Sequence, residues 1–142
     1  MSGKYLIFGA TGSIGSNLAK MMMTKKKDVQ LIGRDENSLK SLSSELNCKY
    51  SVIDVLDEQS IKGLKDEFDG HDIYGIAYCV GSIDLKPLRA AKKDDFLKCF
   101  ELNFFPIVET IKNFQDNLKK NKGSIVVFST VAVQRGFTNH SI

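Results

Sequence analysis

The sequence is poor in the residues that would reveal a function at once. It has three cysteines, two histidines and two prolines in 142 residues. Cys48, Cys79 and Cys99 are odd in number and widely spaced. They fit neither a disulfide framework nor a metal-binding spacing, and the expected setting is reduced and cytoplasmic. His71 and His140 each lack a second ligand or a triad partner nearby in sequence. No metal site and no Ser-His-Asp triad is therefore expected. No apolar run approaches the roughly 20 residues that span a bilayer, so no membrane partner is expected. The first strand-like run begins almost at the initiator Met, which leaves no room for a signal peptide. No linker, repeat or low-complexity tract divides the chain. Residues 1–142 are expected to form a single domain, and that length can bury a real core.

Charge of one sign is also scarce. The 20 basic and 17 acidic residues leave a formal net charge of +3. The only basic run is Lys25-Lys26-Lys27, and no aromatics interleave with it as single-strand nucleic-acid binding requires. A helix C-terminus explains the run, because cations there favour the dipole and the free carbonyls. No nucleic-acid partner is expected.

Glycine is present where it carries information. Residues 9–15 read Gly-Ala-Thr-Gly-Ser-Ile-Gly, between the apolar run Tyr5-Leu6-Ile7-Phe8 and the helix-like segment from Asn17 to Met23. A strand, a glycine-rich turn and a helix in that order hold a diphosphate. Glycine lets the backbone come close to the ligand, and the helix N-terminus presents free N–H groups and its positive dipole end. Gly9, Gly12, Gly15 and Ile14 form this loop, and Thr11 and Ser13 can either donate to phosphate oxygens or cap the helix.

The pattern then alternates strand and helix. Strands are expected over residues 4–8, 29–33, 50–55, 73–80 and 124–129. Helices are expected over 14–24, 36–46, 58–68 and 94–118, the last kinked by Pro106 or starting near it. Alternation implies an α/β fold. It is a doubly wound, Rossmann-like parallel sheet of order 3-2-1-4-5 with helices on both faces. A ligand belongs at the carboxyl ends of the strands, where the order reverses between strands one and four.

The candidate residues follow strand ends. Arg34, about 20 residues past the glycine loop, stands where a ribose 2′-phosphate would be paired and leans the reading towards NADP. Asp35 can serve a ribose hydroxyl or cap the next helix. Asp54, beside Val55, can accept from an adenine amino group or act with Asp57 as an ordinary turn acid. Cys79-Val80-Gly81 puts small groups where a cofactor ribose would run. Asn103 lies inside the long helix, where an amide is usually solvated or bonded to the backbone. Ser129-Thr130 places hydroxyls beside a nicotinamide.

These residues together resemble the short-chain dehydrogenase/reductase family over essentially the whole chain. The resemblance rests on Gly9, Gly12 and Gly15, on Asp54, on Tyr78-Cys79-Val80-Gly81, on Asn103, and on the strand-five segment from Gly123 to Ala132. Three departures stand out. Ser13 occupies the family's middle glycine position. Tyr78-Cys79 replaces two asparagines. Thr130 aligns with the catalytic serine, with Ser129 one place before it. The resemblance implies an NAD(P)-dependent oxidoreductase. Hydride transfer would involve a small-molecule carbonyl or alcohol, and Thr130 or Ser129 would hold the substrate oxygen. Asn103 would hold a water. The family's catalytic tyrosine would fall at the first position past Ile142, and no Tyr-x-x-x-Lys occurs in the chain. The C-terminal part of the family fold is expected to be missing, so this form is expected to bind cofactor without turnover. Two alternatives remain: a non-catalytic NAD(P)-binding module, and an interaction domain or homo-oligomer pairing through an exposed strand five.

Overall fold

The computed structural model describes residues 3–142. The chain alternates β1 (Lys4–Phe8), α1 (Ser13–Thr24), β2 (Asp28–Gly33), α2 (Glu36–Leu46), β3 (Lys49–Val52), α3 (Glu58–Glu67) and β4 (Ile73–Tyr78). It continues through α4 (Lys93–Asn103), α5 (Phe105–Asn121) and β5 (Ser124–Val127), with 3-10 turns at Leu88–Ala90 and Val131–Val133. The five strands form one parallel sheet of order β3-β2-β1-β4-β5, the order expected from the alternation.

Side chains on β1 alternate between the two faces, as the pleat requires. Leu6 and Phe8 join Ile32, Ile76 and Tyr78 in a core closed by Ile61 and Leu64 of α3 and by Phe114 and Leu118 of α5. Ile7 faces the other way, with Val29 and Leu31. There it meets Ala19 of α1 and Leu39 and Leu42 of α2. Helices therefore cover both faces. On the α1 face a groove of about 280 Å³ opens over β4 and β5, lined by Leu18, Met22, Gly75, Ala77, Val126 and Phe128.

Two features depart from the pattern read in the sequence. The segment expected as one helix over 94–118 is two helices. They meet at Phe104, whose φ of −125° and ψ of −60° break the helix, and Pro106 is buried in the first turn of α5. Proline is tolerated there because the first-turn N–H groups have no helical partner in any case. β3 stops at Val52 and β5 at Val127, short of the expected 55 and 129. The run Lys25-Lys26-Lys27 directly follows α1, as expected: Lys25 is its C-cap, with its N–H on the Met22 carbonyl at 3.1 Å, and Lys26 is left-handed at φ 54°.

The position where the resemblance expected a pair of asparagines is braced by an aromatic contact. Tyr78 is 1% exposed and stacks on Phe8, with ring centroids 5.5 Å apart. Its hydroxyl is buried without a hydrogen-bond partner among the described residues, and burial pushes its pKa up.

Candidate functional site

Backbone hydrogen bonds continue the sheet ladder past the strand ends and align the loops that follow. Ala10 N–H donates to Ile32 O at 3.0 Å, Ile53 N–H to Gly33 O at 2.8 Å, and Cys79 N–H to Phe8 O at 2.9 Å. The glycine loop after β1, Arg34 after β2, Asp54 after β3 and Cys79-Val80-Gly81 after β4 therefore leave one end of the sheet side by side.

The three loop glycines have different reasons. Gly9 has φ +71°, and a Cβ there would lie 2.9 Å from the Cys79 carbonyl group. A Cβ on Gly15 would run into the Gly9 carbonyl oxygen. Packing of β1 against β4 and α1 demands both. Gly12 is different. Its backbone, at φ −72° and ψ 166°, suits any residue, and an added Cβ would meet only Gly9 O, at 3.3 Å. The protein's own packing scarcely requires glycine there, whereas a backbone that must lie against an outside group does.

The start of α1 agrees. Gly12 is its N-cap, and no side chain caps the helix. Neither the Thr11 nor the Ser13 hydroxyl does so, which leaves the phosphate reading of the two open and removes the capping one. By contrast, α2 and α3 are capped by acids. Asp35 accepts from the Ser38 N–H at 2.7 Å, and Asp57 from the Gln59 N–H at 3.0 Å and the Ser60 hydroxyl at 2.7 Å. These bonds hold both carboxyls below the usual aspartate range, Ser38 acting on Asp35 and Ser60 foremost on Asp57. The free N–H groups at the α1 start, the open Gly12 backbone and the adjacent Ile14 and Gly15 thus fit a diphosphate group.

Arg34 makes no hydrogen bond or ion pair among the described residues. Asp35 is committed to its cap. Asp54 Oδ1 accepts from the Leu56 N–H at 3.0 Å in a tight turn. Val55 is in the core with Ile53 and Ile61. Burial raises the Cys79 thiol's pKa.

Asn103 is the last residue of α4 rather than a mid-helix amide, a correction that follows from the break at Phe104. Its Oδ1 accepts the Ser82 N–H at 2.9 Å, and its Nδ2 donates to Cys99 O at 3.1 Å. A Cβ on Gly81 would lie 3.0 Å from Asn103 Oδ1, so the small residue at 81 makes room for this clamp. Asn103 and Gly81, 22 positions apart in sequence, are brought together here. Ser129 and Thr130 are exposed past the end of β5. Thr130 Oγ1 accepts from the Ala132 N–H at 3.2 Å and caps the turn Val131–Val133, which leaves its O–H free to donate. Neither hydroxyl is hydrogen-bonded to the other candidate residues. Ser82, Lys86 and Asp95 around this loop escaped the sequence reading: Lys86 reaches Asp95 Oδ1 at 2.6 Å. Ion pairing across a loop has no periodicity, so the sequence carries no signal for it.

A family model described as short chain dehydrogenase matches residues 4–142. The chain is 43% identical over 138 residues to an uncharacterized oxidoreductase of Schizosaccharomyces pombe, which covers 93% of this chain and 55% of that protein. It is 25% identical over 142 residues to an uncharacterized oxidoreductase of Saccharomyces cerevisiae, covering 94% of this chain and 56% of that protein. The chain thus spans little more than half the length of these relatives. Among solved structures, a short chain dehydrogenase/reductase from Saccharomyces cerevisiae superposes with a TM-score of 0.91 at 23% identity, over 99% of this chain and 58% of that one. An actinorhodin polyketide ketoreductase solved with NADPH superposes with a TM-score of 0.88 at 18% identity, over 99% of this chain and 57% of that one.

Proposed function

Because the chain belongs to the short-chain dehydrogenase family, we propose that it is the cofactor-binding part of an NADP-dependent oxidoreductase acting on a carbonyl or alcohol. The observation that carries this reading is the start of α1, uncapped by any side chain among the described residues, over a Gly12 backbone that Gly9 O alone approaches. A nicotinamide cofactor held there would supply the hydride chemistry at the substrate carbon. The chain's own residues supply the rest. The α1 amides and the Thr11 and Ser13 hydroxyls hold the diphosphate. Arg34, free of partners among the described residues, pairs the 2′-phosphate, while Asp35 caps α2 through Oδ1. Gly81, held by Asn103 through Ser82, keeps the loop after β4 clear of the cofactor path. Ser129 or Thr130 donates a hydrogen bond to the substrate oxygen. Asn103 positions the loop through its Oδ1 bond to the Ser82 N–H, and its amide keeps a lone pair and an N–H with which to hold a water.

No Tyr-x-x-x-Lys is present to exchange the proton, and the 142-residue chain is expected to bind cofactor without turning substrate over. Dehydrogenase activity of this chain that Thr130→Val abolishes would overturn that expectation. The central test is fluorescence titration with NADPH and NADH. Arg34→Ala should weaken NADPH about tenfold or more and NADH much less, the loss of one charge-assisted pair. Equal losses would reject the phosphate role, and no binding of either would reject the cofactor site.

A further inference from the structure

The connection from β4 to α4 is held at several points, and both side chains that anchor it belong to α4. Near its start, Asn103 accepts the Ser82 N–H. In its middle, Lys86 Nζ lies 2.6 Å from Asp95 Oδ1 and 3.3 Å from Asp84 Oδ2. At its end, the Lys92 N–H donates to Asp95 Oδ2 at 2.9 Å. The Asp95 side chain is 15% exposed, which shields this pair better than an ordinary surface bridge.

Lys86 has a second link. Its backbone forms a parallel bridge with His140, far along the segment that follows β5. That segment carries Ser129 and Thr130. Its other hydrogen bonds are internal: Val133 N–H to Thr130 O, Arg135 N–H to Val131 O, His140 N–H to Phe137 O, and the His140 ring to Thr138 O. Its cation–π and aromatic contacts, Arg135 on Phe137 and Phe137 on His140, are internal too. Among the described residues, the Lys86–His140 bridge is the only polar tie from residues 129–142 to the rest of the protein.

We propose that Lys86 is a positioning residue: its ion pair with Asp95 fixes the backbone that pairs with His140, and so sets how the Ser129–Thr130 segment lies relative to the connection after β4. Lys86 touches neither hydroxyl and acts through its own main chain. The functional meaning rests on the oxidoreductase reading, whereas the mechanical coupling does not, and the experiment separates them.

Hydrogen–deuterium exchange is measured without cofactor on the wild type, Lys86→Met, Asp95→Asn and Lys86→Arg. In Lys86→Met and Asp95→Asn, exchange over residues 131–142 should rise about fivefold, the scale of one well-formed ion pair. β1 and β2 should be unchanged, and Lys86→Arg should restore the wild-type pattern. Exchange over 131–142 that is unchanged, or already unprotected in the wild type, overturns the proposal. So does a rise that extends to β1 and β2, which would make the pair a general stabiliser. NADPH titration of the same proteins should give equal affinities, because the glycine loop is untouched. Absence of NADPH binding in the wild type would reject the cofactor reading and leave the exchange result standing.

Discussion

A single residue can separate folding from binding in this chain. Gly12→Ala places a methyl group in space that only Gly9 O approaches. It should lower stability by about 1 kcal/mol or less, the scale of replacing glycine by alanine at a helix N-cap. The same change should cost most of the NADPH affinity. Gly15→Ala drives a methyl into the Gly9 carbonyl and should lower stability by about 1–3 kcal/mol, as overpacking does. Calorimetry beside NADPH titration checks both, and a Gly12→Ala protein that keeps wild-type affinity would remove the diphosphate role. Tyr78 offers a second residue-scale test. Its hydroxyl is buried with no partner, so Tyr78→Phe should be neutral or stabilise the protein by about 1 kcal/mol. A lower melting temperature would mean that the hydroxyl has a partner in solution. The glycines and the strand-end residues were legible in the sequence because their types and spacing are local. The roles of Asn103, Ser82 and Asp95 were not, because each depends on which distant backbone comes within reach.

The element scale explains which helix starts are free. Asp35 and Asp57 each accept the N–H of a first-turn residue and hold α2 and α3, while α1 has no such acid. Both carboxyls sit below their ordinary pKa in the folded state. Their contribution is therefore present above the unfolded aspartate value near 3.9 and is lost as pH falls through the lower folded values. Asp35→Asn with Asp57→Asn should melt slightly below the wild type at neutral pH, because asparagine keeps the cap and loses only the charge, and the two curves should converge in strong acid. A gap that persists in acid would show that the charge is not what the caps contribute. The Asp35 cap was visible in the sequence as an acid just before a helical run, whereas Asp57 read only as a turn acid. The break between α4 and α5 was not. Residues 94–118 are helical in composition throughout, and Pro106 alone allows either a kink or a start. Tertiary packing chose the start, and this moved Asn103 from the middle of a helix to an end, where its amide can reach the loop after β4.

At the scale of the whole molecule, the two faces of the sheet differ in cover. α3 and α5 close one face across to β4, whereas α1 and α2 close the other over β1 and β2. On that second face Val126 and Phe128 are 52% and 49% exposed beside the groove over β4 and β5. Contiguous apolar surface of this kind favours association. The 142-residue chain should self-associate with rising concentration, and Val126→Lys with Phe128→Lys should shift the dissociation constant upward by about tenfold or more. Sedimentation analysis reads this directly, and a wild-type chain that stays monomeric at high concentration would contradict it.

The sequence by itself determined the parallel order of the sheet, the glycine turn and the end of the sheet near which the candidate residues sit. Alternating apolar runs, helical spacing and the handedness of the crossovers are local or nearly local properties of the chain. Only the tertiary structure decided how those residues are held. It buried Tyr78 against Phe8, spent Asp35 on a helix cap and left Arg34 free. It also brought Asn103 to Ser82 and Lys86 to both Asp95 and His140. Each of those outcomes is a meeting of groups from different elements, and such meetings exist only once the sheet has closed around its core.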